Sequence, residues 1–177
     1  MPGPRDGGAF VTLVLGGARS GKSRYAEWLI GTYPPPWIYV ATAEAKDEEM
    51  AERIAAHRAR RGADWQTVEA PHTLIEALTA APEGSAVLVD CLTLWLSNLM
   101  ERGSDIEAQI AALKETLSKR TGPTVLVSNE VGLGIVPDNA LARRFRDLQG
   151  TLNQDLAAQA TRVVMMVAGV PVPVKSP

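Results

Sequence analysis

The stretch Phe10-Val11-Thr12-Leu13-Val14-Leu15-Gly16-Gly17-Ala18-Arg19-Ser20-Gly21-Lys22-Ser23 decides the fold. Its first six residues form a short apolar run rich in β-branched side chains, the composition of a strand buried on both faces. The next eight place two glycines around four residues and end in Lys-Ser, which is the phosphate-loop pattern without a mismatch. Gly16 and Gly21 allow backbone conformations closed to residues with a Cβ, so consecutive N–H groups can point into one concavity. A helix starting at Lys22 adds the positive end of its dipole. In that setting Lys22 reaches the β- and γ-phosphates of a nucleotide and the Ser23 hydroxyl ligates Mg²⁺. A glycine-rich turn with an accidental Lys-Ser is the competing explanation. Chance would produce the four fixed positions in well under about 1% of chains this long. Nucleoside-triphosphate binding is therefore the expectation.

The same alternation continues downstream. Apolar runs at 37–42, 86–89, 124–127 and 163–168 are separated by helical patterns near 22–32, 47–61, 73–80, 106–120 and 138–160. Repeated strand–helix order predicts a single α/β domain, a mostly parallel sheet with helices on both faces and right-handed crossovers. Residues 1–8 read as a flexible extension, and 9–177 as one nucleotide-binding domain. In the tail, Pro171 and Pro173 exclude a central strand, leaving an edge position or disorder.

Composition narrows the function classes. With 177 residues, 46% hydrophobic and 21% charged, the chain can bury one ordinary core, which excludes a disordered or fibrous protein. A net charge of −2, with no long run of one sign, argues against a nucleic-acid partner. No apolar run approaches the roughly 20 residues of a membrane span, and the first residues lack the apolar stretch of a signal peptide. Cys91 is the single cysteine, so no internal disulfide can form. A buried, inert thiol in a reducing, cytoplasmic compartment is expected.

Two further elements carry chemistry. Ala86-Val87-Leu88-Val89-Asp90 reads as the third strand and ends in a carboxylate, the position from which phosphate-loop proteins hold Mg²⁺ directly or through water. The segment Asp47 to Arg61 is acidic at its start and basic at its end, which complements a helix dipole and is a sufficient structural explanation of its charges. Within it, His57 follows Met50 and Ile54 at helical spacing and could simply finish an apolar stripe. Its neighbours support another reading. Arg53 lies four positions before it and Arg60 and Arg61 three and four after, so these side chains can share a face. Such cations favour the neutral imidazole, the nucleophilic form, and would hold a polyphosphate against it. His72, beside Pro71 in an expected loop, has no such setting.

Four segments taken together resemble the bifunctional adenosylcobinamide kinase / adenosylcobinamide-phosphate guanylyltransferase family of cobalamin biosynthesis. They are residues 16–23; Tyr39-Val40-Ala41-Thr42-Ala43 with Asp47-Glu48-Glu49-Met50; His57 to Trp65; and Ser128-Asn129-Glu130-Val131-Gly132-Leu133-Gly134-Ile135-Val136-Pro137. The likeness continues through Leu141 to Asp147 and Asn153-Gln154 and covers essentially residues 9–170. The phosphate loop is generic, whereas the stretch from Asn129 to Pro137 is particular to this family.

The resemblance implies a RecA-like phosphate-loop fold, usually trimeric, and two reactions. The aminopropanol hydroxyl of adenosylcobinamide is phosphorylated with ATP or GTP. GMP is then transferred from GTP through a guanylylated histidine, giving adenosyl-GDP-cobinamide and pyrophosphate. His57 is the matching nucleophile, with Lys22 as the second catalytic residue. Gly16–Ser23, Ala41, Thr42 and Ala43 would contact the nucleotide. Arg58, Ala59, Arg60 and Arg61 would meet its phosphates, with Glu69 and Asp90 as further nucleotide or metal contacts and Ser23 and Asp90 as Mg²⁺ ligands. Some members carry two adjacent histidines, whereas Ala56 precedes His57 here. A plain phosphate-loop kinase acting on another small alcohol, with His57 structural, and a nucleotide-dependent switch remain the alternatives.

Overall fold

A computed structural model describes residues 10–59 and 61–176. The expected extension at 1–8 and the phosphate contact expected of Arg60 lie outside the described residues. Among those described, seven strands and six helices follow in the order β1 (Val11–Gly16), α1 (Lys22–Ile30), β2 (Trp37–Ala41), α2 (Glu48–Ala59), β3 (Trp65–Glu69), α3 (Leu74–Ala80), β4 (Ala86–Asp90), α4 (Leu92–Glu101), α5 (Ile106–Lys119), β5 (Thr124–Asn129), α6 (Ala140–Gln159), β6 (Arg162–Val167) and β7 (Val170–Lys175). They form one sheet in the order β3-β2-β4-β5-β1-β6-β7. All neighbours are parallel except β6 and β7, which form an antiparallel pair. The expected mostly parallel α/β architecture therefore holds.

The continuous apolar runs are explained by burial on both faces. In β1, Val11 and Leu13 point into a core with Leu92, Trp95, Leu113, Leu152 and Leu156, beneath α4, α5 and α6. Val14 points the other way and packs with Ala26, Leu29 and Ile30 of α1. The phosphate loop thus leaves the centre of a sheet clamped between two helical layers. No helix among the described residues is long and apolar enough to cross a membrane.

Several expectations need correction. β3 was not anticipated, so Asp90 ends the fourth strand in chain order. α4 was also missed, because Leu92-Thr93-Leu94-Trp95-Leu96 has no polar face to set a helical period, and six of its ten residues are buried. The helix expected at 47–61 ends at Ala59, and the one at 22–32 ends at Ile30. Arg61 therefore lies beyond α2 instead of sharing its face with His57. The tail takes the edge position: β7 is the outermost strand.

Candidate functional site

The loop between β1 and α1 is shaped by contacts from three directions. Gly16 has φ +150°, and a Cβ there would stand 2.6 Å from Ser20 Oγ and 2.7 Å from the Met166 carbonyl oxygen, so a side chain is excluded. The Glu130 N–H donates to Gly16 O at 3.0 Å, and the Gly169 N–H donates to Ser20 O at 3.1 Å. The ends of β5 and the β6–β7 turn thus buttress the loop from both sides. Gly21, at φ 96°, precedes α1 without any side-chain cap. By contrast, Asp105 and Asn139 cap α5 and α6 through their side chains. With no side-chain cap, α1 turns the positive end of its dipole toward the loop, which favours an anion there. Lys22 is buried, and its ammonium donates back across the loop to Gly17 O. Ser20 Oγ is buried without a described partner.

Asp90 lies at the carboxyl end of β4, one strand away from β1 across β5. The Tyr39 hydroxyl donates to its Oδ2 at 3.0 Å. Burial, then the charge of Asp90, pushes the Tyr39 phenol far above its ordinary range, against a weaker opposing pull from Arg61. The phenol therefore stays protonated and keeps donating to the Asp90 carboxyl. Arg61 stacks on the same ring, its guanidinium carbon 3.6 Å from the centroid. Asp90 and Ser23 are half-exposed oxygen donors, the ligand chemistry that Mg²⁺ takes. No cluster of three or more acidic, His or Cys side chains able to hold a metal occurs among the described residues. A cation between these two would complete its shell with nucleotide phosphates and water.

The end of α2 comes to the carboxyl edge of the sheet through the neighbours of His57. Arg58 pairs with Glu69, the last residue of β3, at 2.8 Å, and Arg61 lies over Tyr39 of β2. His57 itself is half-exposed. The structure therefore brings Arg58, Arg61, Glu69 and Asp90 together around β2 and β3, and sets the phosphate loop at β1 of the same edge. At the other end of α2, Asp47 caps the helix by accepting from the Met50 N–H at 2.7 Å.

The segment 41–43 leaves β2 and is held to the start of α4 through Thr42. The buried Thr42 hydroxyl accepts from the Cys91 N–H and donates to Cys91 O, both at 2.7 Å. Asn98 Nδ2 then donates to Thr42 O at 2.9 Å and to Pro71 O at 3.0 Å. The Thr42 side chain thus joins β2 to the start of α4. Cys91 is buried, as expected, and its thiol is pushed up to about 11 by burial first and Asp90 second.

Other residues were invisible to spacing. Gln149 Nε2 donates to Ser128 Oγ at 2.9 Å and to Asn153 Oδ1 at 3.0 Å. Asn153 Nδ2 donates to Asn129 O at 3.1 Å, and Thr93 Oγ1 accepts from the Asn129 N–H at 2.8 Å. This buried network fixes the end of β5 where it meets the phosphate loop. His72, in the loop after β3 and without the cationic setting of His57, lies 2.9 Å from Glu44 Oε1 through Nε2 and is largely buried. It ties the loop after β3 to the loop after β2. Hydrogen bonds to His72, then Lys46, hold the Glu44 carboxyl below its usual value.

Comparison with known proteins bears on the family and the fold. The family profile described as cobinamide kinase / cobinamide phosphate guanyltransferase matches residues 12–174. A Pseudomonas aeruginosa protein named bifunctional adenosylcobalamin biosynthesis protein CobP is 49% identical over 166 residues, covering 92% of this chain and 96% of its own length. The Salmonella typhimurium protein named bifunctional adenosylcobalamin biosynthesis protein CobU is 44% identical, covering 93% of this chain and 99% of its own. Among solved structures, an ATPase of a bacterial type III secretion system aligns with a TM-score of 0.56 at 9% identity, over 90% of this chain and 51% of that one. The flagellar accessory protein FlaH of Methanocaldococcus jannaschii aligns with a TM-score of 0.52 at 10% identity, over 96% and 79%. At such identities these two show the shared fold alone.

Proposed function

Because the chain belongs to the cobinamide kinase / cobinamide phosphate guanyltransferase family, its reactions are phosphorylation of cobinamide and guanylylation of the resulting phosphate, and we propose that the phosphate loop serves both, with His57 as covalent carrier of GMP. The observation that carries this reading is the meeting, at one sheet edge, of an uncapped phosphate loop and the basic end of α2.

In the kinase step the loop amides and Lys22 hold the β- and γ-phosphates of ATP or GTP while the substrate hydroxyl attacks the γ-phosphorus; the new P–O bond forms as the β–γ P–O bond breaks, ADP or GDP leaves, and the hydroxyl proton passes to water. In the transfer step a ring nitrogen of neutral His57 attacks the α-phosphorus of GTP. A P–N bond forms, the α–β P–O bond breaks, and pyrophosphate leaves. An oxygen of cobinamide phosphate then attacks the same phosphorus, the P–N bond breaks, and neutral imidazole is restored. Arg58 and Arg61 offset the charge that builds on the phosphoryl oxygens. Ser23 and Asp90 would hold Mg²⁺, which supplies charge neutralisation between the phosphates.

The active form in this proposal is a cytoplasmic homotrimer. The exposed valines of β7 (Val170, Val172 and Val174) support a subunit contact there, and the lone buried thiol suits a reducing compartment.

The test is incubation with Mg²⁺ and GTP labelled at the α-phosphorus, then denaturing electrophoresis and acid treatment. Wild type is expected to carry an acid-labile label that His57→Ala lacks. Wild type that binds GTP and never becomes labelled would return the chain to a simple kinase.

A further inference from the structure

We infer that the exposed aliphatic ledge formed by Leu133, Ile135, Val136 and Leu141 is the docking surface for the corrin ring of cobinamide, an assignment that rests on the kinase and guanylyltransferase reading above. Ile135 is 97% exposed and Leu133 83%, and Val136 and Leu141 are also exposed. Four large apolar side chains within nine residues make a patch of the kind that marks a binding surface.

The ledge is held in shape without being covered. At its start, Glu130 accepts from the Gly132 N–H at 2.6 Å. At its end, Arg143 Nη1 donates to Pro137 O at 2.9 Å and Asp138 O at 2.7 Å, and Asn139 caps α6. A segment tethered at both ends presents its side chains at little further entropic cost on binding.

Position selects the occupant. Glu130 is bonded to Gly16 of the phosphate loop, so the ledge starts three residues from the loop wall. The reacting hydroxyl of cobinamide sits at the end of a short flexible arm, and phosphoryl transfer requires it in line with the γ-phosphate. The ring must then rest on protein surface within the arm's reach. A corrin is a methyl-rich macrocycle fringed by amides, which suits aliphatic side chains framed by Glu130, Asp138 and Arg143. The cavities described elsewhere do not fit. A cleft of about 450 Å³, lined by Leu78, Pro82, Arg120 and Gly122 among others, opens beside the starts of β4 and β5, at the opposite edge of the sheet. A second, of about 140 Å³ and lined by Glu44, Lys46, Asp47 and Glu101 among others, is too small and too charged for the ring.

The experiment measures KM for cobinamide and for the nucleotide in wild type, Leu133→Ser, Ile135→Ser and the double variant, alongside sedimentation velocity and thermal melting. The amount of covalent GMP formed from GTP alone is the reference, because that half-reaction involves no corrinoid. The double variant is expected to raise KM for cobinamide by at least about tenfold, with melting, sedimentation and nucleotide KM unmoved. An unchanged KM for cobinamide overturns the assignment. A raised KM accompanied by loss of oligomer mass also overturns it, since the ledge would then belong to a second copy of the chain. Should wild type bind GTP and turn over no cobinamide, the functional reading falls first and the ledge assignment falls with it.

Discussion

The phosphate loop and the histidine helix are built by different means, although the proposed chemistry needs both. Residues 16–23 are surrounded: Met166 lies against Gly16, Gly169 bonds Ser20, Glu130 bonds Gly16, and Lys22 is buried. No described residue of α2 is buried, and the contacts described for it and its flanks lie at its two ends, through Asp47, Arg58 and Arg61. Local stability follows buried contact, so the loop is a fixed receptor while α2 is a lightly anchored arm. Holding three phosphates requires preorganised amides, since any reordering on binding would subtract from affinity. A nucleophile that must meet first GTP and then a bulky corrinoid phosphate gains from adjustment at small energetic cost.

The largest effects should separate the two regions by activity. Lys22→Ala is expected to lower both reactions by about 10²-fold or more, because a charge aimed at the transferring phosphate is lost. His57→Ala should abolish guanylyl transfer and leave phosphorylation of cobinamide within a few-fold of wild type. Equal loss of both reactions in His57→Ala, by assays run separately, would break the division of labour. Next in size is Gly16→Ala. Its Cβ would sit 2.6 Å from Ser20 Oγ and 2.7 Å from a backbone oxygen, an overlap expected to cost roughly 1–3 kcal/mol along with triphosphate affinity. Thermal melting with and without GTP reads both, and a variant that melts like wild type would show that the loop is less constrained than its contacts imply.

Cys91 tests the packed half by pH. Its thiol titrates near 11 in the folded chain, above its ordinary value, so folding disfavours the thiolate. That contribution to stability is fully present below about pH 9 and is lost as pH rises from there toward 11, an effect on the order of 2 kcal/mol. Urea unfolding across that window should flatten in Cys91→Ala. An identical pH slope in the variant would place the alkaline sensitivity elsewhere.

What could be read from sequence follows the range of the interactions. The phosphate loop was legible because its glycines, its lysine and its flanking strand act over fourteen contiguous residues. The charge gradient of α2 was legible for the same reason. β3 was not: Trp65-Gln66-Thr67-Val68-Glu69 is an exposed edge strand, and four of its five residues meet solvent. β7 carries Pro171 opposite Met166 and Pro173 opposite Val164, which only an outermost strand tolerates, since its free side needs no donors. At the site, the contact of Tyr39 with Asp90 spans 51 positions and that of Ser128 with Asn153 spans 25. Neither leaves a periodic trace. The bond of the Thr42 hydroxyl to Cys91 spans 49 positions and is equally silent in the sequence.

The smallest expected effect is also the sharpest test of the comparison. Arg58 and Glu69 meet at 2.8 Å, yet their side chains are 59% and 70% exposed. A pair this open is worth about 0–1 kcal/mol once solvent screening and side-chain ordering are counted. Arg58→Gln should therefore leave the melting temperature within about 2 °C of wild type. The rate of His57 labelling by GTP should nevertheless fall several-fold, for two reasons. The substitution removes the Arg58–Glu69 contact at the end of α2, and it removes a cation beside the reacting phosphate. Salt separates these causes from a stability effect. Raising ionic strength should slow wild type toward the variant's rate while both proteins melt as before. If Arg58→Gln instead lowers the melting temperature strongly and labels at the wild-type rate, the pair is part of the framework, and α2 is anchored as firmly as the loop it serves.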